Sequence, residues 1–301
     1  MSIPVVILHR GISENIPSFA IRQAQEHNDR VILLGDVYHT PNHCEYYPIS
    51  DYMDYRFQTM LRVYQHMHMN KNAEYRLNNI LRWFVIADFM NKQDIPVVFA
   101  ADSDLLLFSD VTEIQNTWTT CNALLCIPRY QEEYRWAASG HASFWKLEAL
   151  KMFCDFAINC YCNKYALDML KRKWEWHKKY NMAGGICDMT LLYRFYQTYP
   201  GMVGNLLEAV PPRHIGQYMH AFDLSLNTSE NCHLDEYEME TVKGAPYGQI
   251  KRLFWNNQVG SHPAALVPYG NNLKLGGKIR FDGLHFQAGA KQLMEDFVYW
   301  G

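Results

Sequence analysis

Three features that would assign the chain to a broad class are missing from its sequence. No apolar run is long enough to span a membrane, which takes about 20 residues, because Asp102 and Asp104 interrupt the longest one, residues 95–108. Basic residues are not in excess, since 28 Lys and Arg stand against 31 Asp and Glu, and this argues against a nucleic-acid partner. The eight cysteines contain no C-x-x-C pair, so neither a zinc site nor a disulfide framework is indicated.

The rest of the composition is typical of a globular protein. Hydrophobic residues make up 49% of the 301 residues and charged residues 20%, which supplies a large core and excludes disorder over most of the chain. The opening residues, 1–8, lack the basic flank and the apolar length of a signal peptide. We therefore expect a soluble cytoplasmic protein with reduced cysteines. We also expect a single domain over residues 1–301, because no linker or repeat divides the chain.

The first hundred residues carry the strand–helix–strand pattern of a parallel sheet. β-Branched runs at residues 3–8 and 31–34 flank a helical pattern over 15–27, and a third apolar run at 96–101 follows a long helical pattern over 73–90. Continuous apolar runs of this kind are typical of strands buried on both faces. The sequence therefore predicts an α/β fold with a Rossmann-like beginning.

The remaining segments are less regular. Residues 37–72 predict loops with short helices, and helical patterns cover 147–161, 187–199 and a final stretch near 289–298. Residues 164–180 are rich in Lys, Arg and Trp. Such a run is usually one solvated helix face, but it also suits an anionic glycan or lipid headgroups, so peripheral membrane association is an alternative.

The sharpest local feature is the tripeptide Asp102-Ser103-Asp104, which directly follows the third apolar strand. Ligands of open α/β sheets bind at the carboxyl ends of the strands. Two carboxylates this close repel each other and are costly to desolvate, and a divalent cation removes both penalties. The pattern favours a metal site, with a turn-capping aspartate as the structural alternative.

A second candidate lies near the end of the chain, where His285 is followed by Gly289 and Lys291. An imidazole can supply a neutral nitrogen ligand, and an ammonium six residues later suits a phosphate. The glycine lets the backbone approach a ligand closely. Taken alone, such a histidine is more often a surface or core residue than a ligand.

In this order the motifs resemble those of bacterial-type GT-A glycosyltransferases that use nucleotide sugars. The segments that carry the resemblance are Leu81-Arg82-Trp83-Phe84, Phe99-Ala100-Ala101-Asp102-Ser103-Asp104, Ser139-Gly140-His141-Ala142-Ser143-Phe144, and Leu284-His285-Phe286-Gln287 with Lys291. The last is similar to the H-F-x-G-x-x-K element of the galactosyltransferase and glycogenin-like group. One departure is that Ala288 occupies the position of the motif glycine and Gly289 follows it.

The resemblance implies a single GT-A catalytic domain with a central mixed, mainly parallel sheet flanked by helices. Residues 1–130 would form the nucleotide-sugar-binding half, and residues 131–301 the acceptor half with a C-terminal metal-binding segment. Asp102, Asp104 and His285 would hold Mn²⁺ or Mg²⁺ on the donor diphosphate. The donor is expected to be a UDP-sugar and the acceptor a glycan or glycoconjugate, with retention of configuration slightly preferred.

The resemblance also implies further binding residues. Arg82 would reach the donor sugar or its phosphates and Asp36 the base or ribose, with a surface arginine and a turn aspartate as the structural alternatives. Asp188 would contact sugar hydroxyls or the reacting centre, as the base if the enzyme inverts, unless it simply caps a helix. His141 could equally be a buried structural residue. The donor-binding candidates are His9, Arg10, Gly11, Asp36, Arg82, Ser103, Ser139, Gly140, His141, Gly289 and Lys291.

Two other functions fit parts of the pattern. A sugar nucleotidyltransferase of the same fold would carry a glycine-rich, basic loop after the first strand, and residues 8–13 contain one glycine. A carbohydrate-binding or scaffold protein would use the acidic pair structurally. That protein would bind UDP, if at all, without dependence on Mn²⁺.

Overall fold

The computed structural model describes residues 2–11, 15–36, 44–118, 120–129, 131, 133–211, 218–229, 237–243, 248–257 and 266–298. The strands are β1 Val5–His9, β2 Val31–Gly35, β3 Glu45–Pro48, β4 Val97–Ala101, β5 Leu105–Leu107, β6 Ala123–Cys126, β7 Ser139–Lys146, β8 Val203–Asn205, β9 His220–Phe222, β10 Met239–Thr241, β11 Gln249–Lys251, β12 Leu253–Asn257, β13 Leu266–Asn272 and β14 Gly277–His285. The α-helices are α1 Asn15–Gln25, α2 Tyr55–Val63, α3 Ala73–Lys92, α4 Val111–Gln115, α5 Leu147–Cys162, α6 Lys164–Lys179 and α7 Asp188–Thr198. The 3-10 helices are Ile49–Asp51 and Ala288–Phe297.

The central sheet has seven strands in the order β3-β2-β1-β4-β7-β6-β8. The strand β1 runs parallel to both β2 and β4, β2 runs parallel to β3, and β6 runs parallel to β8. The strand β7 is antiparallel to β4 and β6. The sheet is therefore mixed and mainly parallel, and the predicted α/β class is confirmed.

Both faces of this sheet are covered by apolar side chains, which explains the continuous apolar runs of its strands. Val6 and Val98 face a core that includes side chains of α3, α5 and α7. Val5 and Phe99 face the opposite way, into a core shared with α1 and the C-terminal 3-10 helix. Because successive side chains of a strand point to opposite faces, one run of residues supplies both cores.

The second sheet joins segments that are far apart in sequence. Its strands follow the order β12-β13-β14-β5, and β9 pairs with β14 in parallel. The short strand β5 is antiparallel to β14, with Leu105 opposite His285 and Leu107 opposite Gly283. Only residues 102–104 separate β4 from β5. The chain therefore crosses from one sheet to the other at the acidic tripeptide.

Several elements differ from the sequence predictions. Residues 37–72 include the short helix α2, as predicted, but they also contain the strand β3, which was not predicted and which extends the parallel sheet beside β2. The final helix is a 3-10 helix, and β7 was not predicted as a strand. All seven cysteines in the described part of the chain are free thiols, and Cys232 lies outside that part. None of the described helices is both long and apolar enough to cross a membrane.

The basic stretch is the helix α6, and it is not one solvated face. Lys173 is buried, and its ammonium donates to the carbonyl of Arg135 at 2.8 Å and to Thr190 Oγ1 at 3.0 Å. Burial lowers the pKa of Lys173 to about 8. His177 is also buried, whereas Lys171 and Lys178 are exposed. One face of α6 is therefore structural, and membrane association stays a prediction.

Candidate functional site

The acidic tripeptide is fixed by hydrogen bonds to both sheets. The backbone N–H of Asp102 donates to the carbonyl of His141 in β7 at 2.8 Å. The backbone N–H of Phe286, just after β14, donates to the carbonyl of Asp104 at 2.9 Å. The turn itself is closed by Leu105, whose N–H donates to the Asp102 carbonyl at 3.1 Å. Both carboxylates are thereby placed where the two sheets meet.

The structure brings the three predicted metal ligands together. Asp102, Asp104 and His285 each present a ligand atom, and these atoms lie within 4.8 Å of one another. His285 reaches the acids because β14 pairs with β5, and its Nε2 lies 3.6 Å from Asp104 Oδ1. Two carboxylates and one imidazole form a donor set that Mn²⁺ accepts readily and that Mg²⁺ also tolerates. The residues present therefore fit a divalent cation.

Cationic side chains compensate the two acids unequally. Lys291 Nζ lies 2.9 Å from Asp104 Oδ2. Burial favours the neutral form of Asp104, but the adjacent His285 and Lys291 outweigh it and hold the pKa of this carboxyl below its usual value. Burial raises the pKa of Asp102, with Arg82 opposing the rise and the Asp104 charge adding to it. A cation between them would favour the ionised form of both.

Arg82 links the cluster to the predicted catalytic residue. Its guanidinium donates to Asp102 through one terminal nitrogen and to Asp188 Oδ2 through the other, at 2.9 Å in the second case. Burial acts to lower the pKa of Arg82, but the two carboxylates outweigh it and raise the pKa above its ordinary value. The side chain is only 17% exposed, so Arg82 is not a solvated surface arginine. It fixes the first turn of α7, which Asp188 opens, beside the acidic tripeptide.

The imidazole of His285 is held in one orientation. Its Nδ1–H donates to the carbonyl of Leu224 at 2.8 Å, which leaves Nε2 on the side of Asp104. The ring of His141 stacks on it with centroids 4.0 Å apart. His141 donates through Nε2 to the carbonyl of Asp223 and accepts through Nδ1 from Ser139 Oγ, at 3.0 and 2.7 Å. Burial, with the nearby His285, places the pKa of His141 well below its ordinary value.

The candidates at the ends of β1 and β2 lie together beside the tripeptide. His9 Nδ1 is 3.1 Å from Ser103 Oγ. Arg10 donates to Asn78 Oδ1 of α3 at 2.9 Å, and its Nε and Nη2 are buried without a hydrogen-bond partner in the described structure. The backbone N–H of Gly11 donates to Asp36 Oδ1 at 3.0 Å. Asp36 therefore shapes the turn, as the structural alternative expected, and its role toward a base or ribose stays a prediction.

Two of the predicted glycines have different structural environments. A Cβ on Gly140 would lie 2.3 Å from the buried ring of Trp83, so close packing alone requires glycine there. At the C-terminal element the left-handed residue is Ala288, with φ of 54°, and Gly289 has no positive φ. Ala288 therefore has the left-handed conformation that a glycine would adopt at this motif position without strain. Donor contacts at Gly140 and Gly289 stay predictions.

Sequence reasoning missed the residues that support His285. Asp223 and Leu224 lie just after β9, and their carbonyls accept from the two stacked imidazoles. No motif marks them, because a backbone carbonyl acts as an acceptor whatever side chain its residue carries. Their position follows from the pairing of β9 with β14, which a single sequence does not display.

Comparisons with known proteins give a likeness in structure only. No family model matches the chain, and no curated protein matches it in sequence. Among solved structures, the apo form of mouse xyloside xylosyltransferase 1 has a TM-score of 0.43 and 10% identity, over 68% of this chain and 85% of that chain. An active-site mutant of LgtC has a TM-score of 0.40 and 11% identity, over 71% and 80%. The galactosyltransferase LgtC in complex with donor and acceptor sugar analogs has a TM-score of 0.39 and 11% identity, over 67% and 73%. Likeness at this level does not assign a reaction or site residues to this chain.

Proposed function

We propose that the chain is a metal-dependent glycosyltransferase. It would move a hexose from a nucleotide-diphospho-sugar, with UDP as the nucleotide, to a glycan or glycoconjugate. The observation that carries this proposal is the convergence of Asp102, Asp104 and His285 between the two sheets, with Lys291 beside them. The resemblance of the sequence motifs to GT-A enzymes points to the same four residues.

The chemistry of sugar transfer explains why these residue types belong together. Breaking a sugar–phosphate bond leaves extra negative charge on the departing nucleotide diphosphate. Asp102, Asp104 and His285 would hold a divalent cation, which supplies electrostatic stabilisation of that charge. The ammonium of Lys291 is 39% exposed and close to Asp104, which supports the proposal that it would donate to a diphosphate oxygen. Positive charge fixed before the reaction stabilises the transition state more than the ground state.

The remaining candidates divide between the two ends of the donor. His9, Arg10, Gly11 and Asp36 would contact the nucleotide, because they lie at the carboxyl ends of β1 and β2 where α/β sheets bind ligands. Arg82 and Asp188 would orient the sugar, and Ser139, Gly140 and His141 would lie beneath it. The same predictions give Ser103 and Gly289 contacts to the donor.

Retention of configuration is the version of the reaction that we propose. In a retaining transfer the leaving phosphate can take the proton of the acceptor, so a strong protein base is not required. One oxygen of Asp188 already accepts from Arg82 at 2.9 Å, which suits an orienting role. An inverting enzyme would instead need Asp188 as the general base.

A screen of nucleotide sugars for Mn²⁺-dependent hydrolysis tests the function. We expect one UDP-sugar to be hydrolysed, with activity lost on EDTA treatment and restored by Mn²⁺. Asp102→Asn and Asp104→Asn should each lower the rate by about a hundredfold or more. The matched control is Asp155→Asn, an exposed acid of α5 that pairs with Arg56 of α2, and this variant should keep the parent rate. Unchanged hydrolysis in both site variants would contradict the proposed enzyme site, and UDP binding that does not depend on Mn²⁺ would favour a binding protein instead.

A further inference from the structure

A buried ion pair lies directly behind His285. Lys251, the last residue of β11, places Nζ 2.8 Å from Asp223 Oδ1, and both side chains are completely buried. The same ammonium donates to the carbonyl of Ser225 at 2.6 Å. Replacing a buried pair by apolar residues is often neutral or stabilising. The presence of this one therefore calls for a reason other than stability.

The second oxygen of Asp223 connects the pair to the candidate metal site. Asp223 Oδ2 accepts from the backbone N–H of His285 at 3.3 Å. The carbonyls of Asp223 and Leu224 accept from the imidazoles of His141 and His285. One short segment thus contacts His285 at its backbone and its ring, and also contacts the ring stacked upon it.

The backbone around the pair ties three strands together at this point. The N–H of Lys251 donates to the carbonyl of Leu226 at 2.8 Å, and the N–H of Leu226 donates to the carbonyl of His285 at 2.9 Å. The N–H of Asp223 donates to the carbonyl of Gly283 at 3.0 Å. Few hydrogen bonds therefore separate the ion pair from β14. A substitution in the pair would be expected to shift the residues of β14 that these bonds contact.

We propose that Lys251 and Asp223 are positioning residues for the metal ligand His285. The pair fixes the 223–224 segment, so that the Leu224 carbonyl takes the Nδ1–H of His285 and Nε2 presents its lone pair toward Asp102 and Asp104. Neither residue touches the cation. This inference rests on the proposed function, because it needs His285 to be a ligand, and it adds two residues that no sequence motif marks.

A double-mutant cycle between Lys251 and His285 tests the inference on the full-length chain. Mn²⁺ affinity is measured by electron paramagnetic resonance of the free ion, with saturating UDP, at a temperature where every variant is folded by circular dichroism. We expect Lys251→Met to weaken Mn²⁺ binding about tenfold or more, as loss of a group behind a ligand does. In the His285→Ala background the same substitution should change the affinity by less than about twofold, because two residues that act through one contact are not additive.

The matched control is Lys92→Met, which removes a Lys–Asp pair with Asp88 at the far end of α3. It should leave Mn²⁺ affinity at the parent value. Parent-like affinity in Lys251→Met, or an equal loss with and without His285, would overturn the positioning role. If Lys251→Met does not fold, Asp223→Asn takes its place in the cycle, since one amide oxygen cannot serve both Nζ and the His285 N–H. The same two outcomes then decide.

The cycle also separates this inference from the proposed function. A parent protein that binds no Mn²⁺, or a His285→Ala variant with parent affinity, would contradict the metal site itself. If His285→Ala weakens Mn²⁺ binding and Lys251→Met does not, the positioning role alone is contradicted.

Discussion

The two larger sheets differ in strand direction and in how far apart in sequence some of their paired strands lie. In the seven-stranded sheet, β1 pairs with β2 across the single intervening helix α1, and all their pairs are parallel. In the other sheet β5 pairs with β14, and close to them Ser109 Oγ donates to Asp282 Oδ1 across 173 residues of sequence at 2.7 Å. The candidate site lies where the seven-stranded sheet passes into the sheet that contains β5 and β14. Stability and metal chemistry should therefore respond to different substitutions.

The largest effect is expected from Lys291→Met, in the C-terminal 3-10 helix beside the acidic tripeptide. Loss of the ammonium should lower UDP-sugar hydrolysis by about a hundredfold, because a preset charge on the leaving diphosphate is removed. The free energy of unfolding should change by no more than about 1 kcal/mol, since Lys291 is partly exposed. Steady-state kinetics and urea unfolding measure the two quantities. Lys278→Met, at an exposed position of β14, should alter neither, and parent kinetics in Lys291→Met would contradict its assignment.

A substitution in the seven-stranded sheet should act on stability instead. Gly140→Ala places a methyl group 2.3 Å from the ring of Trp83, which is fully buried. Overpacking of this kind costs about 1–3 kcal/mol, and urea unfolding should show a matching loss. Gly277→Ala, with nothing within 4 Å of the added carbon, is the matched control in the other sheet. A Gly140→Ala protein as stable as the parent would show that the Trp83 ring moves freely.

The helix α1 packs against strands of both sheets, and His27, which follows the end of this helix at Gln25, provides a pH test of their contact. Burial, with the nearby Arg280 of β14, lowers the pKa of His27 to about 4. Between pH 4 and about 6.5 the unfolded chain binds a proton that the folded chain does not. The free energy of unfolding should therefore rise with pH across this window, relative to His27→Gln, by about 1–3 kcal/mol. Urea unfolding of both proteins from pH 4 to 7 measures it. If the difference in free energy of unfolding between the two proteins does not change with pH, this contact does not bury His27.

The smallest expected effect is at the C-terminal element. Ala288→Gly should stabilise the chain by less than about 1 kcal/mol. A left-handed alanine costs about 1–2 kcal/mol, but glycine loses more conformational entropy on folding, which offsets part of the gain. Thermal unfolding should show a small increase in Tm. Gly289→Ala, at a residue without positive φ, should not lower stability. A destabilised Ala288→Gly variant would indicate that packing of the Ala288 methyl group stabilises the chain by more than the strain of its left-handed backbone destabilises it.

Part of the seven-stranded sheet could be predicted from the sequence. Residues 3–8, 31–34 and 96–101 were predicted as strands, and the structure has β1, β2 and β4 at those places. Apolar periodicity reports such elements because each strand buries both faces next to its own connecting helix. The strand β3 was missed, since Glu45, Tyr46 and Tyr47 are not apolar on alternate faces.

The sheet that contains β5 and β14 could not be predicted in the same way. The strand β5 has only three residues, and its pairing with β14 has no local signal. The motif resemblance nevertheless grouped Asp102, Asp104 and His285, and the structure places their ligand atoms together. It could not reveal Asp223 and Lys251, whose contacts depend on the register of β9 and β11. The pairing of Arg82 with Asp188 likewise requires the packing of α3 on α7.

The most direct test of the central claim is whether His285 coordinates the same Mn²⁺ ion as the acid pair. Electron spin echo envelope modulation of Mn²⁺ bound with UDP detects a directly coordinated imidazole nitrogen. The account predicts nitrogen modulation in the parent protein, its disappearance in His285→Ala, and loss of the bound ion in an Asp102→Asn, Asp104→Asn double variant. Bound Mn²⁺ without nitrogen modulation in the parent, or modulation that persists in His285→Ala, would contradict it.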